Sequence, residues 1–102
     1  MQFVITALDY TDEEALSRRL ANREAHLAGA KALVAAGKII SGGAIMSDEG
    51  RMLGSTLHVD FPDRASLDAH LAQDPYVTGK VWEKIEIRPA AFLPVRELLS
   101  GK

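Results

Sequence analysis

Six segments of this chain carry a secondary-structure period, and their order constrains the fold more than any single residue does. Gln2 to Asp9 is rich in β-branched and aromatic residues and reads as a strand. Thr11 precedes three acidic residues, and the Glu at 14 makes the spacing of a capping box. Helical character then continues to Ala36, where Gly37 is a natural terminator. A single helix over 12–36 would run about 37 Å, against about 30 Å for the strands beside it. The mismatch predicts a break with Asn22 as a second N-cap, giving a short helix at 12–20 and a main helix at about 23–36. Lys38 to Met46 and Met52 to Phe61 read as strands joined by the Ser47-Asp48-Glu49-Gly50 turn. Asp63 caps a second helix from Arg64 to about Gln73, and Asp74-Pro75-Tyr76 stops it. Trp82 to Arg88 is the last strand. A C-terminal tail follows, about 90–102, with a short amphipathic piece at Val95 to Leu99.

The resulting order, β-α-β-β-α-β, is the split βαβ or ferredoxin-like arrangement: an α+β fold with a four-stranded antiparallel sheet, residues 1–102 forming one domain. Two helices can cover only one face of such a sheet. Phe3, Ile5 and Ala7, then Leu53, Leu57, Val59 and Phe61, then Ile85 and Ile87 form the rows that meet the helices. The opposite rows are mixed: Val4, Thr6 and Leu8, then Thr56, His58 and Asp60, then Trp82, Lys84, Glu86 and Arg88. Val, Leu and Trp among polar groups predict a subunit interface there, with Trp82 near the contact of a homodimer.

Charge narrows the partners. Twelve cationic and fourteen acidic side chains in 102 residues leave −2, spread evenly along the chain. A surface that tracks phosphates shows a basic excess or stripe, so nucleic acid is not an expected partner. Without cysteine there is no disulfide, thiolate metal site or cysteine nucleophile. Residues 1–8 lack a basic leader pattern, and no apolar run approaches the ~20 residues that span a bilayer. The expectation is a cytoplasmic protein that does not enter a membrane.

Ser55 is the anomaly in the strand pattern. Alternation places it between Leu53 and Leu57, pointing at the helices, and Gly54 beside it permits a close approach by backbone or ligand. A hydroxyl satisfied by nearby backbone is the ordinary alternative. On the main helix, Leu16, Leu20, Leu27, Ala30 and Val34 share one stripe with Arg23, and His26 falls on its edge. Arg23 and His26 are i,i+3 neighbours that can share a patch. His58 and His70 lie on other surfaces, and three dispersed histidines make no metal-ligand spacing. Gly42-Gly43 reads as a strand irregularity, and Arg18-Arg19 as a solvated face.

Arg23-Glu24-Ala25-His26-Leu27, then Gly54-Ser55-Thr56, then Asp74-Pro75-Tyr76-Val77 and the closing Arg88-Pro89 together resemble the YciI-like (YCII-related) family. The likeness runs over nearly the whole chain in the correct order. It implies a ferredoxin-like fold that pairs through its sheets as a dimeric α+β barrel. It also implies a histidine–aspartate centre in a cleft between helices and sheet, which falls on His26 and Asp74, with Arg23, Ser55 and Tyr76 lining the cleft. Two positions depart from the family pattern: Gly42-Gly43-Ala44 replaces Gly-Pro, and Ala90 follows the final Pro in place of an aromatic.

The expected function is therefore a small-molecule enzyme of lyase, isomerase or dehalogenase type, working by acid–base chemistry without metal or cofactor. His26 would move the proton, Asp74 would orient the ring, Arg23 would hold an anionic or phenolic oxygen, and Ser55 would hydrogen-bond the substrate. The alternatives are a non-catalytic metabolite-binding or accessory domain and a cofactor-free oxygenase. The catalytic reading needs the fold to bring His26 and Asp74, 48 residues apart in the chain, together directly or through one water.

Overall fold

The computed structural model describes residues 1–101. Four strands, β1 (Gln2–Asp9), β2 (Ile39–Met46), β3 (Met52–Asp60) and β4 (Trp82–Ala90), form one antiparallel sheet in the order β2-β3-β1-β4. Helix α1 (Ala15–Ala35) and helix α2 (Arg64–Leu71) connect them, followed by the short α3 (Pro75–Thr78) and a C-terminal α4 (Val95–Leu99). The predicted α+β, ferredoxin-like order is present. Register places Phe3 against Val59, Ile5 against Leu57 and Ala7 against Ser55, so the inward rows are those the alternation gives. Phe3, Ile5, Val59 and Phe61 pack with Leu67 and Leu71 of α2 and with Tyr76, Val81 and Trp82 to make the core.

Local signals explain the ends of the elements. Asp63 accepts the Ser66 amide at 2.8 Å and opens α2 as a capping box. Gly37 ends α1 with φ +76°, donating to the Val34 carbonyl, and Lys38 donates to that of Leu33. Gly54 answers the close-approach reading: a Cβ there would collide with the Ala7 carbonyl oxygen, so the glycine lets β1 and β3 close up.

Four expectations are corrected. α1 is one helix, not two. It starts at Ala15, without a side-chain cap from Thr11, so its length is about 32 Å, close to the ~27 Å of β1. Asn22 sits inside it, donating from Nδ2 to the Arg18 carbonyl at 2.8 Å and packing against Gly79. The rotation of α1 also differs. Ala15 and Arg19 are buried and Leu33 packs on the core, whereas Leu16, Leu20, Leu27 and Val34 are exposed. Polar partners fix this rotation, because Arg19 meets Asp9, Asn22 meets Gly79 and His26 meets Asp74.

Trp82 lies in the core, 4% exposed, rather than on the open sheet face. Leu8 pairs with Lys84 but Asp9 with Trp82, so a bulge at Glu83 inserts one residue and reverses the facing of Trp82. The solvated-face reading of Arg18-Arg19 fails for Arg19, which is 4% exposed. On the open face, Val4 still opposes His58 and Arg88, and Thr6 opposes Thr56 and Glu86. There Phe92 of the tail stacks on His58 at 4.3 Å and donates its amide to the Gln2 side chain at 2.7 Å.

Candidate active site

His26 Nδ1 lies 2.9 Å from Asp74 Oδ1, both side chains largely buried. Two elements make this meeting possible. His26 sits on the sheet-facing side of α1, and Asp74 is the residue that opens α3, held extended ahead of Pro75. The same Oδ1 accepts the Tyr76 amide at 2.8 Å. Asp74 is therefore a helix cap and a partner of His26 at once. A carboxylate oxygen only accepts, so Nδ1 carries the proton, and in the neutral imidazole Nε2 is the acceptor.

Two aromatic rings hold the imidazole, one against its face and one in a T-shaped contact. The Tyr76 ring stacks on it at 3.9 Å and 7° between planes, and the Trp82 indole meets its edge at 5.6 Å. Arg19 lies over the Tyr76 ring at 4.9 Å. Its Nη1 donates to both oxygens of Asp9 at 2.9 Å, and Nη2 donates to the Gly54 carbonyl at 3.2 Å and to Ser55 Oγ at 3.0 Å. Trp82 Nε1 donates to the same Oγ at 3.1 Å. Burial raises the Asp9 carboxyl above its ordinary value, and the Arg19 charge and hydrogen bonds pull it back. Burial likewise raises the Tyr76 phenol, opposed by the charges of Arg19 and Arg23.

Above this layer a cleft of about 380 Å³ opens between α1 and β2. Arg23, His26 and Leu27 stand on the helix side, Gly42, Gly43 and Ala44 on the strand side, with Ser55, Leu57 and Tyr76 between them. Gly42-Gly43 is thus part of the cleft wall, but only Gly42 is crowded; a Cβ on Gly43 would meet nothing. A Cβ on Gly42 would come within 2.6 Å of the Leu57 side chain. Among the described residues no carboxylate pairs with Arg23, which leaves its guanidinium to face the cleft as an uncommitted cation.

The structure brings Arg23, His26, Ser55 and Tyr76 to the cleft wall, while Asp74 contacts His26 without lining the cleft itself. His58 is on the far side of the sheet. His70 is closer than expected, lining a small apolar cavity of about 20 Å³ with His26 and Asp74. Among the described residues no three His, Asp or Glu side chains converge as metal ligands. Sequence reasoning misses Arg19, Asp9 and Trp82. A signal for the first two was present: Asp9 continues the inward row Phe3, Ile5, Ala7, and a carboxylate in that row demands a buried cation. Arg19 lies four residues before Arg23 and seven before His26, on the same side of a helix.

A ferredoxin-like domain with a histidine–carboxylate pair in a helix–sheet cleft defines the class. The YCII-related domain family matches residues 1–91, and the chain belongs to that family. It is 33% identical over 95 residues to protein YciI of Escherichia coli O6:H1, covering 87% of this chain and 95% of that protein. An uncharacterised protein of Haemophilus influenzae is 35% identical over 95 residues, with the same coverage. The fold is similar to that of 5-chloro-2-hydroxyhydroquinone dehydrochlorinase (TftG) from Burkholderia phenoliruptrix AC1100, solved with 2,5-dihydroxybenzoquinone. The TM-score is 0.76 at 24% identity, covering 89% of this chain and 94% of that one. Among the described residues no helix is long and apolar enough to cross a membrane.

Proposed function

We propose that this protein is a small-molecule enzyme in which His26 and Asp74 form an acid–base centre acting on a planar anionic or phenolic substrate. The observation that carries this reading is the 2.9 Å His26–Asp74 contact at the wall of a cleft whose one uncommitted charge is Arg23. Nε2 takes a proton from a substrate hydroxyl, and Asp74 stabilises the imidazolium that results. The negative charge left on the substrate oxygen is met by Arg23 and by the Ser55 hydroxyl. Tyr76 holds the imidazole plane. Apolar groups on the wall, Leu27, Ala30 and Leu57, suit a flat ring of this size in a cleft of this volume.

The dehydrochlorinase with a similar fold supports the choice of chemistry to test. With 5-chloro-2-hydroxyhydroquinone as substrate, two hydroxyl protons leave oxygen by way of His26: one is delivered to the chlorine-bearing ring carbon, the other is released with the chloride that departs with the C–Cl bonding pair, and the ring is left as a hydroxybenzoquinone. A chloride-release assay is then the direct test. His26→Gln lowers turnover by roughly 10²–10⁴, the range for loss of a general acid or base, while binding persists. Arg23→Ala acts mainly by raising KM. Unchanged turnover in His26→Gln refutes the catalytic role, and ligand binding without turnover by any variant or the parent identifies a metabolite-binding domain instead. We further propose that two copies pair through their open sheet faces, as in a dimeric α+β barrel, supported by the half-buried Val4, Thr6 and Thr56 on that face.

A further inference from the structure

The Ser55 hydroxyl has its hydrogen-bond polarity fixed by its neighbours. Arg19 Nη2 and Trp82 Nε1 both reach Oγ, at 3.0 and 3.1 Å. Guanidinium and indole nitrogens donate and cannot accept, whereas a serine hydroxyl offers two lone pairs and one proton. Both lone pairs are therefore occupied. Among the described residues no protein group accepts the remaining proton, and Ser55 lines the cleft while being only 5% exposed. Neither donor is free to turn away. Arg19 is tied to both oxygens of Asp9 and to the Gly54 carbonyl, and Trp82 is wedged in the core beside Tyr76 and His26.

We infer that Ser55 is a dedicated donor and a specificity determinant. It selects ligands that present an acceptor oxygen (a carbonyl, enolate, phenolate or a hydroxyl turned to accept) at its end of the cleft and rejects those that can only donate there. Asp9, Arg19 and Trp82 are the positioning residues that hold this polarity. The inference deepens the proposed function, resting on the same cleft, and turns a generic polar contact into a directional one. A substrate donor placed against Oγ would find no lone pair, and an unmet buried donor weakens binding roughly five- to 150-fold.

Two measurements test it separately from the catalytic reading. Neutron diffraction from the deuterated protein locates the Ser55 deuteron without any ligand. It is expected to point into the cleft; a deuteron directed at a protein carbonyl overturns the inference whether or not the protein is an enzyme. Calorimetric titration at pH 8 then compares 2,5-dihydroxybenzoquinone, rich in acceptor oxygens, with uncharged 1,4-phenylenediamine, which presents donors. Ser55→Ala is expected to weaken the quinone by roughly tenfold and to leave the diamine unchanged or tighter. Trp82→Phe, which returns one lone pair to Oγ, is expected to tighten the diamine selectively. Equal loss of both ligands in Ser55→Ala, or no gain for the diamine in Trp82→Phe, overturns the directional role. If neither ligand binds the parent protein, the proposed quinone-type function fails, and the deuteron position still decides the polarity of Ser55.

Discussion

Replacing Arg19 by Met is expected to be among the most damaging single changes outside the apolar core. Arg19 is 4% exposed and its partner carboxylate, Asp9, is also largely buried. Removing the cation leaves that carboxylate, the Gly54 carbonyl and one lone pair of Ser55 without their donors. Breaking one side of a buried pair costs about 3–5 kcal/mol. At roughly 2.1 cal/mol/K of unfolding entropy per residue, 102 residues convert this to a fall in melting temperature of about 14–23 °C. The double variant Asp9→Asn/Arg19→Met removes the stranded charge and should recover about 1–3 kcal/mol of the loss.

The pH dependence has a definite sign. Burial already raises the Asp9 carboxyl above the ordinary 3.8, and losing Arg19 raises it further. A carboxyl protonated more readily in the folded than in the unfolded chain favours folding as pH falls. Arg19→Met should therefore gain stability, relative to the parent, as pH drops through the raised value, and the double variant should not. Thermal denaturation by circular dichroism across pH 4–8 reads all of this. A melting temperature within ~5 °C of the parent, or a double variant as unstable as the sum of the singles, would refute the buried-pair account.

Two further outcomes follow from the geometry. The Arg18 hydrogen bond, its largest influence, holds the exposed Asp12 carboxyl down to about 2. NMR titration should find that midpoint, with Arg18→Ala returning it toward 3.8; the small stabilisation is complete above the unfolded value and lost as pH falls toward 2. Thr6→Glu sets a new charge on the open sheet face beside Glu86 and should weaken self-association by roughly tenfold or more. Sedimentation equilibrium unchanged by this substitution places any dimer contact elsewhere.

Much of the fold could be read from the chain because strand alternation, the Asp63 cap and the Gly37 terminator are local signals that tertiary packing did not override. Only family resemblance pairs Asp74 with His26, since no local rule joins residues on two elements 48 positions apart. The corrections have two physical origins. The rotation of α1 is set by polar anchors, Arg19 on Asp9, Asn22 on Gly79 and His26 on Asp74, so its most apolar stripe lies beside the cleft and not under it. A single bulged residue turns Trp82 from the expected open face into the core, and alternation cannot foresee it because inserting one position reverses every facing beyond it.

The most direct test of the site is a crystal structure of the protein with 2,5-dihydroxybenzoquinone. The ligand should lie in the cleft between α1 and β2, one oxygen within ~2.6–3.2 Å of His26 Nε2 and another against Arg23, with the His26–Asp74 contact retained. A ligand found only on the open sheet face or at the β1–α1 turn, or a cleft closed by rearranged side chains while the protein still binds the quinone, would contradict the assignment of this cleft as the working site.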